Sequence, residues 1–279
     1  MRHITVNVQT TEFNLYPIND VQIGGMGVDE KRFGKYIKEL ADDPIGRGLG
    51  LGDYTDGLSP SNRAAIRAAS NAGNWYDVGE QMLLDSASRQ AARFVKLASP
   101  AIGQFDAFLK GHHFYEYKKQ VDGKTLLTST DIDIAEALMA PYLDDTSDKK
   151  QMAMITYKGP RGRQCRVLAL HGEGSGSTLA SPLARLTRLM GSFQADIYMI
   201  AHHHKVFATR VPVLRSADDT PTHLAHRDAL LVACGSWMRG YVEDETTYAE
   251  AGIMAPLAIG APVINVKMRT DGNDLRVLV

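Results

Sequence analysis

Five short apolar runs in this sequence end on aspartate or histidine, the residue types that bind metals and transfer protons. The runs are Phe13 to Ile18, Leu49 to Leu51, Phe105 to Leu109, Val167 to Leu170 and Ile197 to Ile200. The polar residues that follow them are Asp20, Asp53, His112-His113, His171 and His202 to His204. Short apolar runs predict buried strands, and α/β proteins bind ligands in the crevice beyond the carboxyl ends of their strands. The pattern therefore predicts an α/β fold with a polar site at one sheet edge.

The segments between the runs predict helices. Apolar residues recur at helical spacing in Asp29 to Leu40, Ser61 to Ala69, Met82 to Leu97, Ile132 to Met139 and Leu179 to Met190. From Val206 onward the sequence is rich in strand-like runs. We see no internal repeat and no linker-like tract, so we predict one domain over residues 1–279.

Composition limits the class of protein. Hydrophobic residues make up 44% and charged residues 23%, which is ordinary for a globular protein. The net charge of -1 gives no support for gripping long nucleic-acid duplexes through a basic excess. No apolar stretch approaches the roughly 20 residues that span a bilayer, and the first residues lack the apolar core of a signal peptide. Cys165 and Cys234 lie in strand-like runs and are expected to be reduced core thiols, so we expect a cytoplasmic protein with no membrane partner.

Taken one at a time, the polar residues have plain structural explanations. Asp20 could cap the turn after a strand, Asp53 could belong to a Gly-Asp turn, and His171 could be a core histidine. The pair His112-His113 is more informative, because two adjacent imidazoles after a strand seldom serve packing alone. In an extended segment alternate residues share a face, so His202 and His204 are expected at the site. His203 is then expected to point elsewhere.

Taken in order, these stretches resemble the calcineurin-like metallophosphoesterase superfamily. The pattern is Asp, Gly-Asp-x-x-Asp, Gly-x-His, His-Gly and His-x-His, and it spans Asp20 to His204. Residues 235–241 and 260–263 also look like bacteriophage-encoded members, for which the location would be the host-cell cytoplasm. The resemblance implies an α/β fold of two packed mixed β-sheets flanked by helices, in αββα layers, with a dinuclear metal site at the strand ends.

The same resemblance implies roles for individual residues. It assigns one divalent ion to Asp20, Gln22, Asp53 and His204, and a second to Asp53, His112, His171 and His202. Asp53 would bridge the two ions, His113 would act as general acid, and Asp56 would orient the His113 ring. Such ligand sets suit manganese, with zinc, iron or nickel as alternatives, better than calcium.

The sequence departs from the family pattern at four positions. The family usually has His at Gln22, Asn at His112, Gly at Ala201 and an acidic residue at Phe114. The Gln22 carbonyl oxygen is a neutral and weaker donor, which leaves the occupancy of the first ion site open. The change at His112 leaves open which histidine of the pair is the ligand, and we assign His113 as the acid by register.

The resemblance implies hydrolysis of a phosphodiester, of nucleotide or nucleic-acid type, by a metal-bridging hydroxide. A phosphomonoesterase or a non-catalytic metal-binding scaffold are the alternatives. The expected partner is a phosphate-ester substrate such as a nucleotide or single-stranded nucleic acid. Tyr54, Phe114 and Tyr115 could stack on a base or could wall the pocket. The oligomeric state is left open.

Overall fold

The computed structural model describes residues 1–58, 60–73, 77–143, 152–174, 178–216, 224–244, 247–251, 256–270 and 272–278. Within these residues the strands are β1 (Arg2–Asn7), β2 (Glu12–Asn19), β3 (Gly46–Gly52), β4 (Phe105–Leu109), β5 (Glu116–Val121), β6 (Lys124–Ser129), β7 (Tyr142–Leu143), β8 (Met152–Lys158), β9 (Gln164–Leu170), β10 (Ile197–Ile200), β11 (Val206–Ser216), β12 (Leu224–Cys234), β13 (Val263–Lys267) and β14 (Asp274–Leu278). The α-helices are α1 (Glu30–Asp42), α2 (Pro60–Asn71), α3 (Asp77–Ala98), α4 (Thr130–Ala137), α5 (Ala180–Met190) and α6 (Tyr248–Ala251). Short 3-10 turns cover Ser99–Ala101 and Pro160–Gly162. None of the described helices is long and apolar enough to cross a lipid bilayer.

The strands form two large sheets and one hairpin. The first sheet has the order β1-β8-β9-β10-β12-β11, the second has the order β14-β13-β2-β3-β4-β7, and β5 pairs with β6. Strands β9, β10 and β12 run parallel in the first sheet, and β2, β3, β4 and β7 run parallel in the second. Each sheet also has antiparallel pairs, such as β8 with β9 and β13 with β2. Both sheets are therefore mixed, as predicted.

The main core lies between the two sheets. Ile197 and Met199 of β10 point into it, together with Leu49 and Leu51 of β3. The alternate residues Tyr198 and Ile200 point outward and pack under α5. Because both faces of such a strand are buried, its sequence is a continuous apolar run instead of an alternating one.

Helices cover the outer face of each sheet. On the second sheet, Ile37 of α1, Phe94 of α3 and Ile134 of α4 pack with Ile18 and Phe108. On the first sheet, Leu186 of α5 packs with neighbouring strand residues. These contacts give the four layers αββα, and they confirm the predicted fold class.

Helix α1 shows how local sequence sets an element's ends. The Asp29 carboxylate caps the helix by accepting a hydrogen bond from the Arg32 N–H at 3.1 Å. The buried residues Phe33, Tyr36, Ile37 and Leu40 form one stripe of the helix. The helix is complete by Asp43, because the following Pro44 disfavours a helical residue before it. The predicted segment from Asp29 to Leu40 thus matches the helix, with Asp29 as its cap.

Both cysteines are buried, as predicted. Cys165 lies in β9 and Cys234 ends β12. Burial raises the pKa of both thiols well above the ordinary value, so both stay protonated near neutral pH. Neither thiol is therefore an activated nucleophile.

The parallel strands bring the predicted polar residues to one edge. The Asp20 N–H donates to the Gly52 carbonyl at 3.0 Å, and the Gln22 N–H donates to the Asp53 carbonyl at 3.0 Å. These bonds continue the pairing of β2 with β3 past the end of both strands. The loops after β4, β9 and β10 reach the same place, which positions the site described next.

Candidate metal centre

The backbone turns sharply where the strands deliver their polar residues. Five residues at the site adopt positive φ: Asp20 (45°), Gln22 (50°), Asp53 (56°), His202 (66°) and His204 (49°). This left-handed region is unfavourable for residues with a Cβ, by about 1–3 kcal/mol each, and it concentrates at functional sites. Backbone strain at five residues of these strand ends therefore points to a functional site.

Two glycines allow the β3 and β4 ends to approach closely. A Cβ on Gly52 would lie 2.6 Å from Gly111 Cα and 2.8 Å from His171 Nδ1. A Cβ on Gly111 would overlap the Asp53 backbone and carboxylate, lying 2.9 Å from Asp53 Cα. Only glycine fits at either position without displacing a neighbour. The close approach lets Asp53 Oδ1 accept hydrogen bonds from the N–H groups of His112 and, at 2.9 Å, His113.

The other oxygen of Asp53 faces His171 from the opposite sheet. Asp53 Oδ2 lies 3.2 Å from His171 Nε2, and both side chains are buried. His171 Nδ1 lies 2.8 Å from the Leu51 carbonyl oxygen. Since a carbonyl oxygen only accepts, Nδ1 carries the proton in that bond and Nε2 is the atom presented to Asp53.

Two more imidazoles complete a cluster around this pair. His112 Nδ1 lies 3.3 Å from His202 Nδ1, and the His112 ring centroid is 4.7 Å from those of His171 and His202. One ligand atom each from Asp53, His112, His171 and His202 lies within 4.8 Å of the others. These four are the residues assigned to one ion by the sequence resemblance. That they hold a metal stays a prediction.

The protonation states suit metal ligands. Burial and the neighbouring His171 charge lower the pKa of His112 to about 3. Burial and His171 also lower the pKa of His202. Both rings are therefore neutral near pH 7 and offer a lone pair.

His171 and Asp53 are charged in the absence of a metal. Burial alone would lower the pKa of His171, but the Asp53 and Asp20 carboxylates outweigh it and raise the pKa to about 9. Burial alone would raise the pKa of Asp53, but the His171 charge outweighs it and holds the pKa well below its ordinary value. The pair is thus an internal ion pair in which a proton occupies the position that a cation could take.

The residues assigned to the other ion are only partly brought together. Asp20 Oδ1 lies 3.3 Å from His204 Nε2, and Asp20 Oδ2 accepts a hydrogen bond from the His202 N–H at 2.9 Å. Gln22 is buried and reaches Asp53 through its backbone. Gln22 therefore sits at the expected position, while a ligand role for its side chain stays a prediction.

The chemistry of this donor set fits divalent cations. Three buried ligand atoms make no hydrogen bond to the described residues: Asp20 Oδ1, Asp53 Oδ2 and His171 Nε2. Buried polar atoms are normally hydrogen-bonded, and these three have, among the described residues, only the ion-pair contacts at 3.2 and 3.3 Å, which a bound cation would replace. Carboxylate oxygen with imidazole nitrogen suits manganese, iron or zinc better than calcium.

His113 lies beside the cluster and pairs with Asp56. Its Nδ1 lies 3.4 Å from Asp56 Oδ1. Its backbone carbonyl accepts hydrogen bonds from the Gly57 N–H at 3.1 Å and the Thr55 hydroxyl at 3.2 Å. Burial lowers the pKa of His113, but the Asp56 hydrogen bond and the Asp53 charge outweigh it, so the pKa is raised. The pairing with Asp56 holds His113 near the cluster, and its role as a proton donor stays a prediction.

Three aromatic residues, Tyr54, Phe114 and Tyr115, were predicted to contact the substrate, and all three are buried. Tyr54 is fully buried, and its hydroxyl accepts from the Gly52 N–H at 3.0 Å and donates to the Leu109 carbonyl at 2.6 Å. This corrects its assignment as a substrate-binding residue, because the ring packs on Phe94 and Phe108 in the core.

Phe114 and Tyr115 are nearly as buried as Tyr54. The guanidinium of Arg63 lies 4.0 Å from the Phe114 ring centroid and Lys110 Nζ lies 4.4 Å from it. The Phe114 ring thus contacts two cations, and its role in substrate binding stays a prediction. Tyr115 lines a cleft of about 440 Å³ beside His113, in agreement with the alternative that it walls the pocket.

The backbone from His202 to His204 has a different conformation from the extended one that was predicted. Positive φ at His202 and His204 shows that the segment is tightly turned and not extended. The turns send His202 to His112 and His204 to Asp20. His203 is buried with both ring nitrogens unpartnered among the described residues, and burial lowers its pKa to about 4. The His203 ring centroid lies 5.5 Å from that of the His202 ring, so the expectation that His203 has no part in the site stays a prediction, and the periodicity argument for it was wrong.

Sequence reasoning missed the residues that support the site. Asn19 Nδ2 donates to the Gly235 carbonyl at 2.9 Å, which ties the end of β2 to the end of β12. Asp131, in the first turn of α4, accepts from the Gly111 N–H at 3.2 Å, and burial raises its pKa to about 7. The backbone N–H of Trp237 donates to the Asp20 backbone carbonyl at 3.1 Å. Ser129 and Asp131 do carry a helix-start signal, but nothing in it points to Gly111.

Searches against known proteins returned structural likenesses alone. No protein-family model matches the sequence, and no curated protein matches it.

A crystal structure of a Vps29 single mutant from Entamoeba histolytica has a TM-score of 0.40 and 8% identity, covering 96% of this chain and 100% of that one. A conserved uncharacterized protein, a predicted phosphoesterase, from Streptococcus pneumoniae TIGR4 has a TM-score of 0.33 and 8% identity, covering 96% and 98%. The calcineurin-like phosphoesterase YfkN from Bacillus subtilis has a TM-score of 0.23 and 7% identity, covering 95% and 90%. At TM-scores this low, such likenesses fix neither activity nor substrate.

Proposed function

We propose that this chain is a metal-dependent phosphoesterase of the calcineurin-like kind. The observation that carries the proposal is the group of buried Asp53 and His171 and half-buried His112 and His202, with ligand atoms within 4.8 Å of one another, beside a histidine of raised pKa. Asp20, His204 and the Gln22 position would hold a second divalent ion, with Asp53 shared between the two. Manganese is the ion we expect, with zinc, iron or nickel as alternatives.

A bound pair of divalent ions would supply Lewis acidity to the phosphate oxygens and make hydroxide available near neutral pH. The residues of the chain prepare that site. The N–H groups of His112 and His113 fix one oxygen of Asp53, and the Leu51 carbonyl fixes the ring of His171. Hydrogen bonds between a metal-ligating side chain and its neighbours orient that side chain and tune its affinity for the metal.

His113 would supply the proton that the leaving group needs. Because Asp56 engages Nδ1, the Nε2–H of the protonated ring remains available to an alkoxide oxygen. The raised pKa favours the protonated ring, which is the form that a departing alkoxide requires. Asp56 acts through His113 and is therefore a positioning residue.

We propose a phosphodiester, of nucleotide or nucleic-acid type, as the substrate. The support for this choice is the resemblance to bacteriophage-encoded members, which would place the reaction in the host-cell cytoplasm. The test is a side-by-side assay of bis-p-nitrophenyl phosphate and p-nitrophenyl phosphate after chelation and reloading with Mn²⁺. Faster turnover of the diester is expected, together with its loss in His113→Ala.

Other results would redirect the proposal. Faster turnover of the monoester would favour a phosphomonoesterase acting on a nucleotide or phosphoprotein. Turnover of neither substrate with Mn²⁺, Zn²⁺, Fe²⁺ or Ni²⁺ would overturn the enzymatic proposal and favour a non-catalytic metal-binding scaffold.

A further inference from the structure

A cleft of about 440 Å³ is lined by His113 and, among the described residues, by none of the candidate metal ligands. Its walls are the turn after β3, the start of α2 and the middle of α3. His113 and Asp56 both line it, so the candidate proton donor is part of its wall. A proton donor must lie within hydrogen-bond reach of the oxygen it protonates. The group that leaves with that oxygen would therefore occupy this cleft.

The charge of the lining indicates what kind of group fits. Among the described residues that line the cleft, none is lysine or arginine, and Asp56 is the carboxylate present. Arg63 follows the lining residue Asn62, but its guanidinium donates to the carbonyls of Leu58 and Phe114, the latter at 3.0 Å. A second phosphate in the cleft would meet the Asp56 carboxylate, and the positive charge that the described lining offers is that of protonated His113, which Asp56 already pairs. The lining therefore favours an uncharged group.

The size and surface of the cleft favour a ring. Ligand sites for drug-sized molecules fall in a range of about 300–1,000 Å³, well above what a methyl or ethyl group needs. Leu83, Ala87 and Tyr115 supply apolar wall, while Asn62, Ser86 and Gln90 supply polar atoms. The Gln90 Oε1 atom is buried and makes no hydrogen bond to the described residues. A ring that carries hydroxyl or amide donors would fit both kinds of wall.

We propose that this cleft binds the leaving group of the ester, and that the leaving group is an uncharged ring-bearing alcohol. A nucleoside and an aryl alcohol share that chemistry. The inference rests on the proposed function, because it takes His113 as the proton donor. It adds a binding site, lined by α3, α2 and the loops after β3 and β4, that selects the substrate by its leaving group.

Two tryptophan substitutions on α3 test the site. Ser86 lines the cleft, whereas Ser88 is exposed two residues later and does not line it. Ser86→Trp fills the cleft, and Ser88→Trp is the matched control for a bulky side chain on the same helix. Gln90→Leu keeps the side-chain volume and removes the polar atoms.

The first measurement is binding without catalysis. Thymidine and p-nitrophenol are titrated into the metal-free full chain and followed by saturation-transfer NMR. We expect binding to the parent and to Ser88→Trp, a loss of at least tenfold in Ser86→Trp, and a smaller loss for thymidine in Gln90→Leu. Binding of thymidine alone identifies a nucleoside, and binding of p-nitrophenol alone identifies an aryl alcohol. Binding of neither, or tighter binding of thymidine 5′-monophosphate than of thymidine, would overturn the proposal.

The second measurement is the effect of each variant on two diesters. The ratio of kcat/KM between variant and parent cancels the intrinsic reactivity of a substrate. For Ser86→Trp we expect a drop of at least tenfold with bis-p-nitrophenyl phosphate and less than twofold with bis-trifluoroethyl phosphate, whose leaving group is small. Equal drops with both would show that the substitution disturbs His113, and would contradict the cleft as a selective site. If the parent hydrolyses neither diester, the proposed function fails, while the NMR titration still decides whether the cleft takes an uncharged ring.

Discussion

The Asp53 carboxylate and the His171 imidazole face each other from opposite sheets, with Oδ2 3.2 Å from Nε2 and neither side chain open to solvent. Each charge is stable in the interior because the other is there. Removing one partner of such a pair leaves an uncompensated buried charge, which costs roughly 3–5 kcal/mol. The same two atoms are candidate metal ligands, so one contact underlies both the stability and the proposed chemistry of the site.

Asp53→Asn is expected to abolish metal binding and to lower the free energy of unfolding. The amide cannot compensate the His171 charge, and it replaces an anionic ligand by a neutral one. Elemental analysis after Mn²⁺ loading and urea unfolding measure the two effects. Asp106→Asn is the control, because Asp106 is also a buried carboxylate in the second sheet, paired with Arg47. That variant should lose stability but keep its metal, and equal metal loss in both variants would argue against a ligand role for Asp53.

The metal-free protein is expected to be most stable near pH 6.5. His171 has a folded pKa of about 9 against an ordinary 6.5, so its contribution is complete below pH 6.5 and is lost as pH rises through 9. His112 has a folded pKa of about 3, so its contribution is present above pH 6.5 and is lost as pH falls toward 3. Each unit of difference is worth about 1.4 kcal/mol. Urea unfolding with chelator from pH 4 to pH 10 gives the profile.

His171→Gln isolates the alkaline part of that profile. This variant should show no loss of stability between pH 6.5 and pH 9, because the titrating group is gone. In the parent, a metal must displace the His171 proton, so Mn²⁺ affinity should rise with pH up to about 9. Calorimetric titration with Mn²⁺ at several pH values measures this, and an affinity that is independent of pH would contradict the displacement.

His113→Ala is expected to lower kcat by about 10²–10⁴-fold while metal content stays unchanged, because a general acid contributes that much. Asp56→Asn should have a milder effect with a distinct signature. The Asp56 hydrogen bond helps to raise the pKa of His113, so its removal should move the alkaline limb of the pH-rate profile to lower pH. Lower kcat without movement of that limb would assign Asp56 a structural role only.

Gly111→Ala is expected to destabilise the fold and to weaken metal binding. A Cβ there would overlap Asp53, and the backbone of both strand ends would have to move. Gly34→Ala is the matched control, since a Cβ at Gly34 in α1 would meet only Leu97 Cδ2 at 3.8 Å. Helix propensity predicts that this control is stabilised by about 0.5–1 kcal/mol. Thermal unfolding and Mn²⁺ titration of both variants make the comparison.

The sequence was most informative where burial is complete on both faces of a strand. The runs Phe105 to Leu109 and Ile197 to Ile200 coincide with β4 and β10. It was least informative where strands are exposed. Strand β1 and the hairpin of β5 and β6 were not predicted, because they lie at an edge or outside the large sheets and have many exposed residues, including Leu127.

For the site, the sequence predicted which residues meet, but it did not predict the contacts that hold them in place. Asp53 and His112 follow adjacent parallel strands of one sheet, so their meeting follows from topology, whereas His171 reaches them from the other sheet. The supporting contacts of Asn19 and Asp131 depend on how separate elements dock, which no local pattern encodes. Tyr54 was misplaced for a similar reason, since only the packed structure shows that its hydroxyl is bound to backbone inside the core.

The site draws on both sheets, and its contacts join distant parts of the chain: the His202 N–H and the Asp20 carboxylate are 182 residues apart. Closing a loop of that length carries a large entropy cost that only a nearly complete fold repays. An ion cannot nucleate folding from such a distance, because its ligands meet only after the sheets have docked. Interactions absent from the folding transition state slow unfolding and leave the folding rate unchanged. If the proposed site binds a metal, the metal should slow unfolding without making the protein fold any faster.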